Sequence, residues 1–374
     1  MPPVAINLKQ TDDWRDVVHR AVQALVEGRV VAFPTETVYG LAASALDESA
    51  VERLAALKGR GEHQPFTLAI RGAEEARDYS PTMGPMADRL ARRCWPGPIT
   101  LVLDASHPES LVRQLPAAVR HRVAPEKTVG LRVPGHNAVL DVLRMLAGPL
   151  VLTSANRTGQ PAAVDAKEVI EALGDGVELV LDDGPSHFRQ PSTVVRVTDN
   201  NWQVLREGVV PEKTLRRLSC LMVLLVCTGN TCRSPMAEAI CRDLLARRLA
   251  CSLDDLEDRG VIVMSAGIAA MMGGVATPEA VEAMRQLELD LTTHETQPLT
   301  EVLVRQADLI YTMTRSHREA IIAQWPEAAE RTRQLCSTGR DVSDPIGGPL
   351  SAYVECAQQI RKAIEERVDE LGLG

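Results

Sequence analysis

The chain has 374 residues, of which 45% are hydrophobic and 24% charged, the balance of an ordinary globular protein rather than a disordered or membrane one. A single hydrophobic core rarely grows beyond about 250 to 300 residues, so the length predicts two domains. The net charge of −9 argues against a general nucleic-acid coat, because such proteins are basic.

Targeting and metal signals are missing from the sequence. It has no apolar run of membrane-spanning length and no basic, apolar leader, so we expect a cytoplasmic protein with no membrane contact. The eight cysteines show neither the spacing of a disulfide framework nor that of a zinc site. We therefore expect reduced thiols and no bound metal.

In the first half, apolar β-branched runs alternate with helical patterns, which predicts an α/β domain. A polar, basic stretch, PEKTLRRLSC, then separates this half from a second one. We place the boundary so that residues 1–217 and 218–374 form the two domains. The predicted strands of the first domain are VVAFPT, FTLAI, ITLVL, TVGLRV, PLVLTS, VELVLDD, STVVRV and QVLREGVV.

The pattern restarts in the second half with the apolar strand VLLVC, a glycine-containing loop and the helix SPMAEAICRDLLARRLA. Further strands at VIVMSAG and LIYTM alternate with helices up to the C-terminus. This order predicts a doubly wound parallel sheet of the Rossmann-like kind.

The segment between the first strand and the first helix of the second half, VCTGNTCRSPMAE, suits phosphate binding. A loop that enters a helix N-terminus offers backbone N–H groups and the positive end of the helix dipole. Arg233 lies six residues after Cys227, so a curled loop brings its guanidinium over the phosphate oxygens and favours Cys227 as a thiolate nucleophile. Gly229 and Asn230 tolerate the left-handed backbone of such a loop, and Ser234 can donate a hydrogen bond to the thiolate.

A thiolate that attacks phosphorus needs a partner that protonates the leaving group. Asp344 lies in the polar turn SDPIGG, which suits a catalytic loop. We therefore predict Asp344 as the general acid.

On these residues the second half resembles the low-molecular-weight protein phosphatase family. The matching features are C-x5-R-S, SAG at 265–267, the His294 segment, ADLIYTMT and the late Asp344-Pro345. The resemblance implies that Cys227 is the nucleophile, Arg233 binds phosphate and Asp344 is the acid, without a cofactor. It also implies that His294 and Asn230 brace the phosphate loop, although a surface histidine is the alternative interpretation of His294. The remaining loop residues implied are Thr228, Gly229, Thr231, Cys232 and Ser234.

Within that family, two positions favour the arginine phosphatases over the tyrosine phosphatases. Thr231 stands where the tyrosine branch has a bulkier aliphatic residue, and Ile346-Gly347-Gly348 follow Asp344-Pro345 where that branch has aromatic residues. Both differences favour a non-aromatic substrate, so we expect phosphoarginine on phosphorylated proteins. A local hydrogen bond to the backbone is the alternative role for Thr231.

In the first domain, polar side chains follow predicted strands and helices at several places. Lys58 and Arg60 lie two apart in a segment expected to be extended, so both can face one cleft and neutralise a triphosphate. Ser154 and Asn156 follow a strand, as do Thr35 and Tyr39, at the sheet edge where α/β proteins bind ligands. The alternative interpretation is solvated cations at a helix end and ordinary turn-forming residues.

The first domain resembles the YrdC-like threonylcarbamoyl-AMP synthases in six blocks that occur in the same order. They are PTETVYGL, KGRGEHQPF, WPGPITLVL, TVGLRVP, TSANRTGQP and STVVRV. The resemblance implies a twisted mixed sheet and a reaction of L-threonine, bicarbonate and ATP, with Mg²⁺ in the ATP complex. The product serves modification of tRNA through partner proteins. The residues implied in ATP binding are Lys58, Arg60, Ser154, Asn156 and Arg206. Those implied in threonine binding are Thr35, Tyr39, Arg132 and Thr193.

The sequence therefore predicts a fusion of two enzymes. The alternative is a low-molecular-weight tyrosine phosphatase whose first domain is a non-catalytic nucleotide- or RNA-binding module.

Overall fold

The computed structural model describes residues 3–59, 61 and 64–371. The chain divides into two compact units, Met1–Leu215 and Arg216–Gly374. Among the described residues, no helix is both long enough and apolar enough to cross a bilayer.

The first unit contains one mixed sheet of ten strands in the order β1-β8-β2-β3-β7-β4-β6-β5-β9-β10. The strands are β1 (Val4–Asn7), β2 (Val31–Phe33), β3 (Gly40–Ser44), β4 (Thr67–Ala69), β5 (Ile99–Asp104), β6 (Thr128–Arg132), β7 (Leu150–Ser154), β8 (Leu179–Asp182), β9 (Thr193–Thr198) and β10 (Asn201–Arg206). The predicted mixed sheet is confirmed.

The helices of this unit are α1 (Trp14–Val26), α2 (Glu48–Lys58), α3 (Ala76–Tyr79), α4 (Pro85–Cys94), α5 (Ala117–Val123), α6 (Asn137–Met145) and α7 (Ala166–Leu173). Helix α1 begins where the Asp13 carboxylate accepts the Asp16 N–H, the usual N-cap arrangement. Its residues Val17, Val18, Ala21 and Leu25 are buried on one face. With α6 they cover the sheet in one apolar core, as the helical period requires.

One expectation is wrong at the level of local structure. Lys58 is the last residue of α2 rather than part of an extended segment. The stretch PEKTLRRLSC, which separates the two halves, contains helix α8 (Glu212–Ser219). Leu215 on α8 is buried, with 1% of its surface exposed, so packing of that one side chain stabilises a helix in a polar sequence.

The second unit is built on four parallel strands in the order β12-β11-β13-β14. They are β11 (Leu221–Cys227), β12 (Val261–Gly267), β13 (Leu309–Thr312) and β14 (Thr332–Gln334). The helices are α9 (Arg233–Arg248), α10 (Pro278–Arg285), α11 (Glu301–Gln306), α12 (Arg315–Gln324) and α13 (Leu350–Val368).

Helices cover both faces of this sheet, as predicted for a doubly wound fold. Along β11 the side chains alternate between two cores: Val223 and Leu225 face one, and Leu224 and Val226 face the other. This follows from the two-residue period of a strand. Because β11 lies between β12 and β13, its carboxyl end is the point where the strand order reverses, the usual ligand site of such folds.

Candidate active sites

The predicted phosphate loop connects the end of β11 to the start of α9. Cys227 is the last residue of the strand and Arg233 the first of the helix. Both are buried, with 3% and 6% of their surface exposed. The loop therefore carries the thiol and the guanidinium at a helix N-terminus, where anions are stabilised.

Two groups contact the Cys227 sulfur. Ser234 Oγ lies 3.0 Å from Sγ, and the Asn230 backbone N–H donates to Sγ over 3.2 Å. The Ser234 oxygen also accepts a hydrogen bond from Asn230 Nδ2, at 3.0 Å, and its hydroxyl lies 3.4 Å from the Ala266 carbonyl oxygen. The buried sulfur therefore has two polar contacts within the loop, one of them with a backbone donor.

Asn230 is the centre of the hydrogen bonds that shape the loop. Its backbone is left-handed, with φ at 55°, whereas Gly229 keeps a negative φ. Its Nδ2 also donates to Ser265 Oγ at 2.9 Å, and its Oδ1 accepts the Gln297 N–H at 2.9 Å. Asparagine suits this position because it tolerates the left-handed region better than other side chains with an amide or hydroxyl.

His294 contacts the same loop, since its Nε2 lies 2.8 Å from the Asn230 carbonyl oxygen. The structure thus brings together the two residues predicted to brace the loop. Gly267 is equally constrained, because a Cβ there would lie 2.6 Å from the Thr228 carbonyl and 2.9 Å from the Asn230 nitrogen. The loop can pack against β12 only if residue 267 has no side chain.

The predicted acid is in direct contact with the predicted phosphate-binding cation. Arg233 Nη2 donates to Asp344 Oδ2 at 2.6 Å, and Nη1 lies 3.4 Å from the Val342 carbonyl. The arginine side chain is 7% exposed and that of Asp344 47%. Asp344 is therefore held at the loop while remaining accessible to solvent.

The other loop residues differ in their surroundings. The Thr231 carbonyl oxygen accepts a hydrogen bond from the Thr277 N–H at 2.9 Å. This bond connects the loop to the start of α10. Cys232 Sγ lies 3.4 Å from Thr277 Oγ1 and 3.9 Å from the Tyr353 hydroxyl. Cys232 is thus buried beneath the loop as part of the core.

His317, on α12, is a residue that sequence reasoning missed. Its Nε2 lies 2.9 Å from Thr228 Oγ1. Burial and the nearby Arg233 charge lower the His317 pKa from its ordinary value, against smaller opposing effects of Asp341 and Asp344. Its position depends on the packing of α12 beside β11, which no motif spacing encodes.

In the first unit, Lys58, Ser154 and Asn156 form one cluster. Lys58 Nζ donates to the Ser154 carbonyl at 2.7 Å and to Asn156 Oδ1 at 2.9 Å. Ser154 Oγ donates to Asn156 Oδ1 at 2.5 Å. Lys58 is 3% exposed, so its charge is held at the end of β7 by oxygen atoms rather than by water. Arg60 lies outside the described residues.

A cavity beside this cluster combines hydroxyl groups with two arginines. Arg132 pairs with Glu36 Oε1 at 2.7 Å and donates to Thr37 Oγ1 at 2.9 Å. Arg206 Nη2 donates to the Ser192 carbonyl at 2.7 Å. Although Arg206 as a residue is exposed, desolvation of its guanidinium and the Arg132 charge lower its pKa. The cavity is lined by Thr35, Val38, Tyr39, Gly40, Thr67, Thr100, Arg132, Leu152, Thr153, Ser154, Pro191, Ser192 and Arg206.

Two family models match the chain. Residues 23–208 match the Sua5, YciO and YrdC model, described as telomere recombination, and residues 222–372 match the low molecular weight phosphotyrosine protein phosphatase model. The threonylcarbamoyl-AMP synthase of the mouse is 33% identical over 235 residues, which cover 61% of this chain and 80% of that protein. The chain belongs to the threonylcarbamoyl-AMP synthase family. It also carries a C-terminal low-molecular-weight phosphatase domain.

A second relative of the synthase part is the threonylcarbamoyl-AMP synthase of Pyrococcus abyssi, 33% identical over 216 residues. The alignment covers 58% of this chain and 60% of the archaeal protein. The solved structure of P. abyssi Sua5 complexed with L-threonine is 23% identical, with a TM-score of 0.51, covering 71% of this chain and 92% of that chain. At this identity the match shows a shared fold.

For the phosphatase domain, a similar solved structure is the YwlE arginine phosphatase from Geobacillus stearothermophilus. It is 29% identical, and the alignment covers 41% of this chain and 93% of that chain, with a TM-score of 0.36.

The residues predicted to bind threonine are only partly brought together in the synthase domain. Thr35 lines the cavity, and its hydroxyl donates to the Val38 carbonyl at 2.6 Å. Tyr39 also lines it, but its hydroxyl donates to the Gly184 carbonyl at 2.8 Å. Thr193 lies outside the lining, because its hydroxyl exchanges two 2.9 Å hydrogen bonds with the Val210 backbone.

Sequence reasoning also missed one residue that lines the synthase cavity, Ser192, and one that pairs with its Arg132, Glu36. Ser192, the neighbour of Thr193, lines it instead and contacts Thr100 Oγ1 at 3.1 Å. Glu36 neutralises Arg132 and accepts the Gly135 N–H at 2.8 Å. Ser192 and Thr193 are adjacent in the predicted strand STVVRV, whose two-residue period could have distinguished them, whereas the Glu36 contact joins distant segments. In the part of the chain that the structure describes, no cluster of three or more His, Cys, Asp or Glu could hold a metal ion.

Proposed function

We propose that the first unit synthesises threonylcarbamoyl-AMP and pyrophosphate from L-threonine, bicarbonate and ATP. The observation that carries this proposal is the convergence of Lys58, Ser154 and Asn156 beside a cavity that contains Arg132 and Arg206. Family membership supports the same reaction. ATP enters as its Mg²⁺ complex, and the product serves tRNA modification through partner proteins.

The chemistry asks the synthase domain mainly to bind and position charged reactants. Lys58 and the hydroxyl and amide groups at the end of β7 suit the phosphates and ribose of ATP, since a desolvated ammonium attracts phosphate strongly. Arg132 suits the carboxylate of threonine and the carbamate formed from it, and Arg206, at the same cavity, suits the phosphates of ATP. Holding carbamate and α-phosphate together supplies proximity, the main contribution to such a reaction.

The test measures pyrophosphate release from ATP by the full chain. Release requires both L-threonine and bicarbonate, and Lys58→Ala abolishes it. As a matched control, Lys167→Ala changes a solvent-exposed lysine of the same unit and leaves release unchanged. No threonine-dependent release from the unmodified chain contradicts the proposal and favours a non-catalytic nucleotide-binding module.

We propose that the second unit is a cysteine-dependent phosphatase. The observation that carries this proposal is the loop in which Ser234 and Asn230 contact the Cys227 sulfur while Arg233 contacts Asp344. The Cys227 thiolate attacks phosphorus, and the bond from phosphorus to the leaving group breaks as protonated Asp344 donates its proton to that group. Water then attacks the cysteinyl phosphate with Asp344 as base, which releases phosphate and restores the thiolate.

Arg233 has two partners in this cycle. A bound phosphoryl group offers the guanidinium two oxygens, a better partner than the single Asp344 oxygen it contacts here. Substrate binding therefore transfers Arg233 from Asp344 to the phosphoryl group and frees the carboxyl group for proton transfer.

The proposed substrate is phosphoarginine on proteins. Thr231 gives the loop a small polar side chain, and Ile346 after Asp344 is 66% exposed, so the described turn has no aromatic ring to sandwich a tyrosyl group. A guanidinium is planar and polar and matches hydroxyl acceptors better than an apolar wall.

Hydrolysis of phosphoarginine and phosphotyrosine by the full chain tests the substrate. We expect a higher kcat/KM for phosphoarginine, and Thr231→Ile reduces that preference because it fills the polar wall with an aliphatic group. Cys227→Ser abolishes both activities. An unchanged preference in Thr231→Ile contradicts the selectivity argument, and a phosphotyrosine preference in the unmodified chain identifies a tyrosine phosphatase.

A further inference from the structure

His317 touches the phosphate loop but has no part in the chemistry described so far. It lies in the first turn of α12, where its backbone N–H donates to Thr314 Oγ1 at 3.2 Å. Strand β13 pairs with β11 through Val226 and Thr312, which places the start of α12 beside the loop. His317 is 7% exposed, and its Nε2 lies 2.9 Å from Thr228 Oγ1.

The surroundings of the ring favour one protonation state. Nδ1 is buried and has no hydrogen-bond partner among the described residues. A proton on Nδ1 would bury an N–H without an acceptor, whereas a proton on Nε2 is used in the bond to Thr228. A second ring proton is disfavoured, since burial and the Arg233 charge lower the pKa. His317 is therefore neutral and donates from Nε2 to the threonine oxygen.

This assignment determines what the Thr228 hydroxyl can do. Its oxygen accepts from His317, so its own hydrogen must point to another acceptor. Thr228 directly follows Cys227, is exposed and is fixed by the hydrogen bond from the Ala269 N–H to its carbonyl, at 2.9 Å. The strongest acceptor that the proposed reaction brings to this place is the phosphoryl group.

We propose that His317 is a positioning residue that orients Thr228 so that the threonine hydroxyl donates a hydrogen bond to a phosphoryl oxygen of the substrate. The inference rests on the proposed phosphatase function. It adds one side-chain donor, next to the nucleophile, to the backbone N–H groups and the Arg233 guanidinium. Because the bond goes to the phosphoryl group, it serves phosphoarginine and aryl phosphates alike.

The kinetic test uses the full chain, p-nitrophenyl phosphate as substrate and inorganic phosphate as inhibitor. Loss of a hydrogen bond to a charged group lowers binding about tenfold or more. Thr228→Val therefore lowers kcat/KM and weakens phosphate inhibition by about tenfold, whereas Thr228→Ser keeps both. Ser316→Ala, a change of an exposed neighbour of His317, leaves both values unchanged.

A double-mutant cycle separates positioning from general stabilisation. His317→Leu lowers kcat/KM when it is made in the unmodified chain. In the Thr228→Val chain it lowers kcat/KM no further, because the hydroxyl that His317 orients is already absent. An equal loss in both backgrounds overturns the inference, as does a Thr228→Val protein that matches the unmodified chain.

The tautomer provides a readout that does not depend on turnover. The full chain is labelled with ¹⁵N-histidine, and the His317 signals in its NMR spectrum are identified by their absence from the spectrum of His317→Gln. We expect these signals to show a protonated Nε2 and an unprotonated Nδ1. A protonated Nδ1 overturns the inference even if the enzyme is active. If the unmodified chain does not hydrolyse p-nitrophenyl phosphate, the proposed function fails. The inference is then decided by the affinity for inorganic phosphate, which we expect to be weaker in Thr228→Val than in the unmodified chain.

Discussion

Asn230 offers a quantitative test of how the phosphate loop is held. Asn230→Gly keeps the left-handed backbone but removes three side-chain hydrogen bonds, to Ser234, Ser265 and the Gln297 N–H. At about 1 kcal/mol each, their loss lowers the free energy of unfolding of the second unit by about 3 kcal/mol. Asn230→Ala loses the same bonds and also places a Cβ in the left-handed region, which adds about 1 kcal/mol.

The assay is urea unfolding of the full chain, followed by a signal specific to the second unit, together with kcat/KM for p-nitrophenyl phosphate. Both variants lose activity because Ser234 is no longer oriented toward the Cys227 sulfur. Equal stability of the two variants refutes the backbone argument. A loss below about 0.5 kcal/mol in both, the size of an ordinary surface change, refutes the hydrogen-bond argument.

Three further predictions concern residues around the two sites. Gly267→Ala lowers kcat/KM for p-nitrophenyl phosphate at least tenfold, because its Cβ would lie 2.6 Å from the Thr228 carbonyl. Gly260→Ala has open space around its Cβ but strains a backbone with φ at 82°, so it lowers stability and leaves kcat/KM unchanged. Equal effects of the two variants on kcat/KM contradict the packing argument. Glu36→Leu leaves the buried Arg132 charge unpaired and lowers the stability of the first unit by about 3 kcal/mol in urea; a change under about 1 kcal/mol contradicts this. The pKa of His317 in the folded chain lies below its ordinary 6.5, so below pH 6.5 the unfolded chain binds a proton that the folded chain does not. The free energy of unfolding therefore falls as the pH drops toward the folded pKa. His317→Gln shows a shallower fall, and an unchanged dependence of the free energy of unfolding on pH contradicts the assignment.

The sequence predicted what depends on short-range patterns. A continuous apolar run located β11, and the spacing from Cys227 to Arg233 depends only on one loop and the start of one helix. The doubly wound sheet of the second unit was predicted correctly for the same reason, whereas the mixed sheet of the first was implied by the family resemblance.

Contacts between distant segments could not be predicted in the same way. The approach of His317 to Thr228 joins residues 89 positions apart, and that of Glu36 to Arg132 joins residues 96 apart. Strand β3 (Gly40–Ser44) was not among the predicted strands. Lys58 was placed in an extended segment, although α2 continues to it. These features depend on packing, which overrides local preference.

The account's central claim is that one chain carries two chemistries, and crossed variants test it most directly. Pyrophosphate release and p-nitrophenyl phosphate hydrolysis are measured on the same preparations of the unmodified chain, Lys58→Ala and Cys227→Ser. We predict that the unmodified chain has both activities, that Lys58→Ala loses only pyrophosphate release, and that Cys227→Ser loses only hydrolysis. Hydrolysis that persists in Cys227→Ser, or threonine-dependent release that persists in Lys58→Ala, contradicts the account.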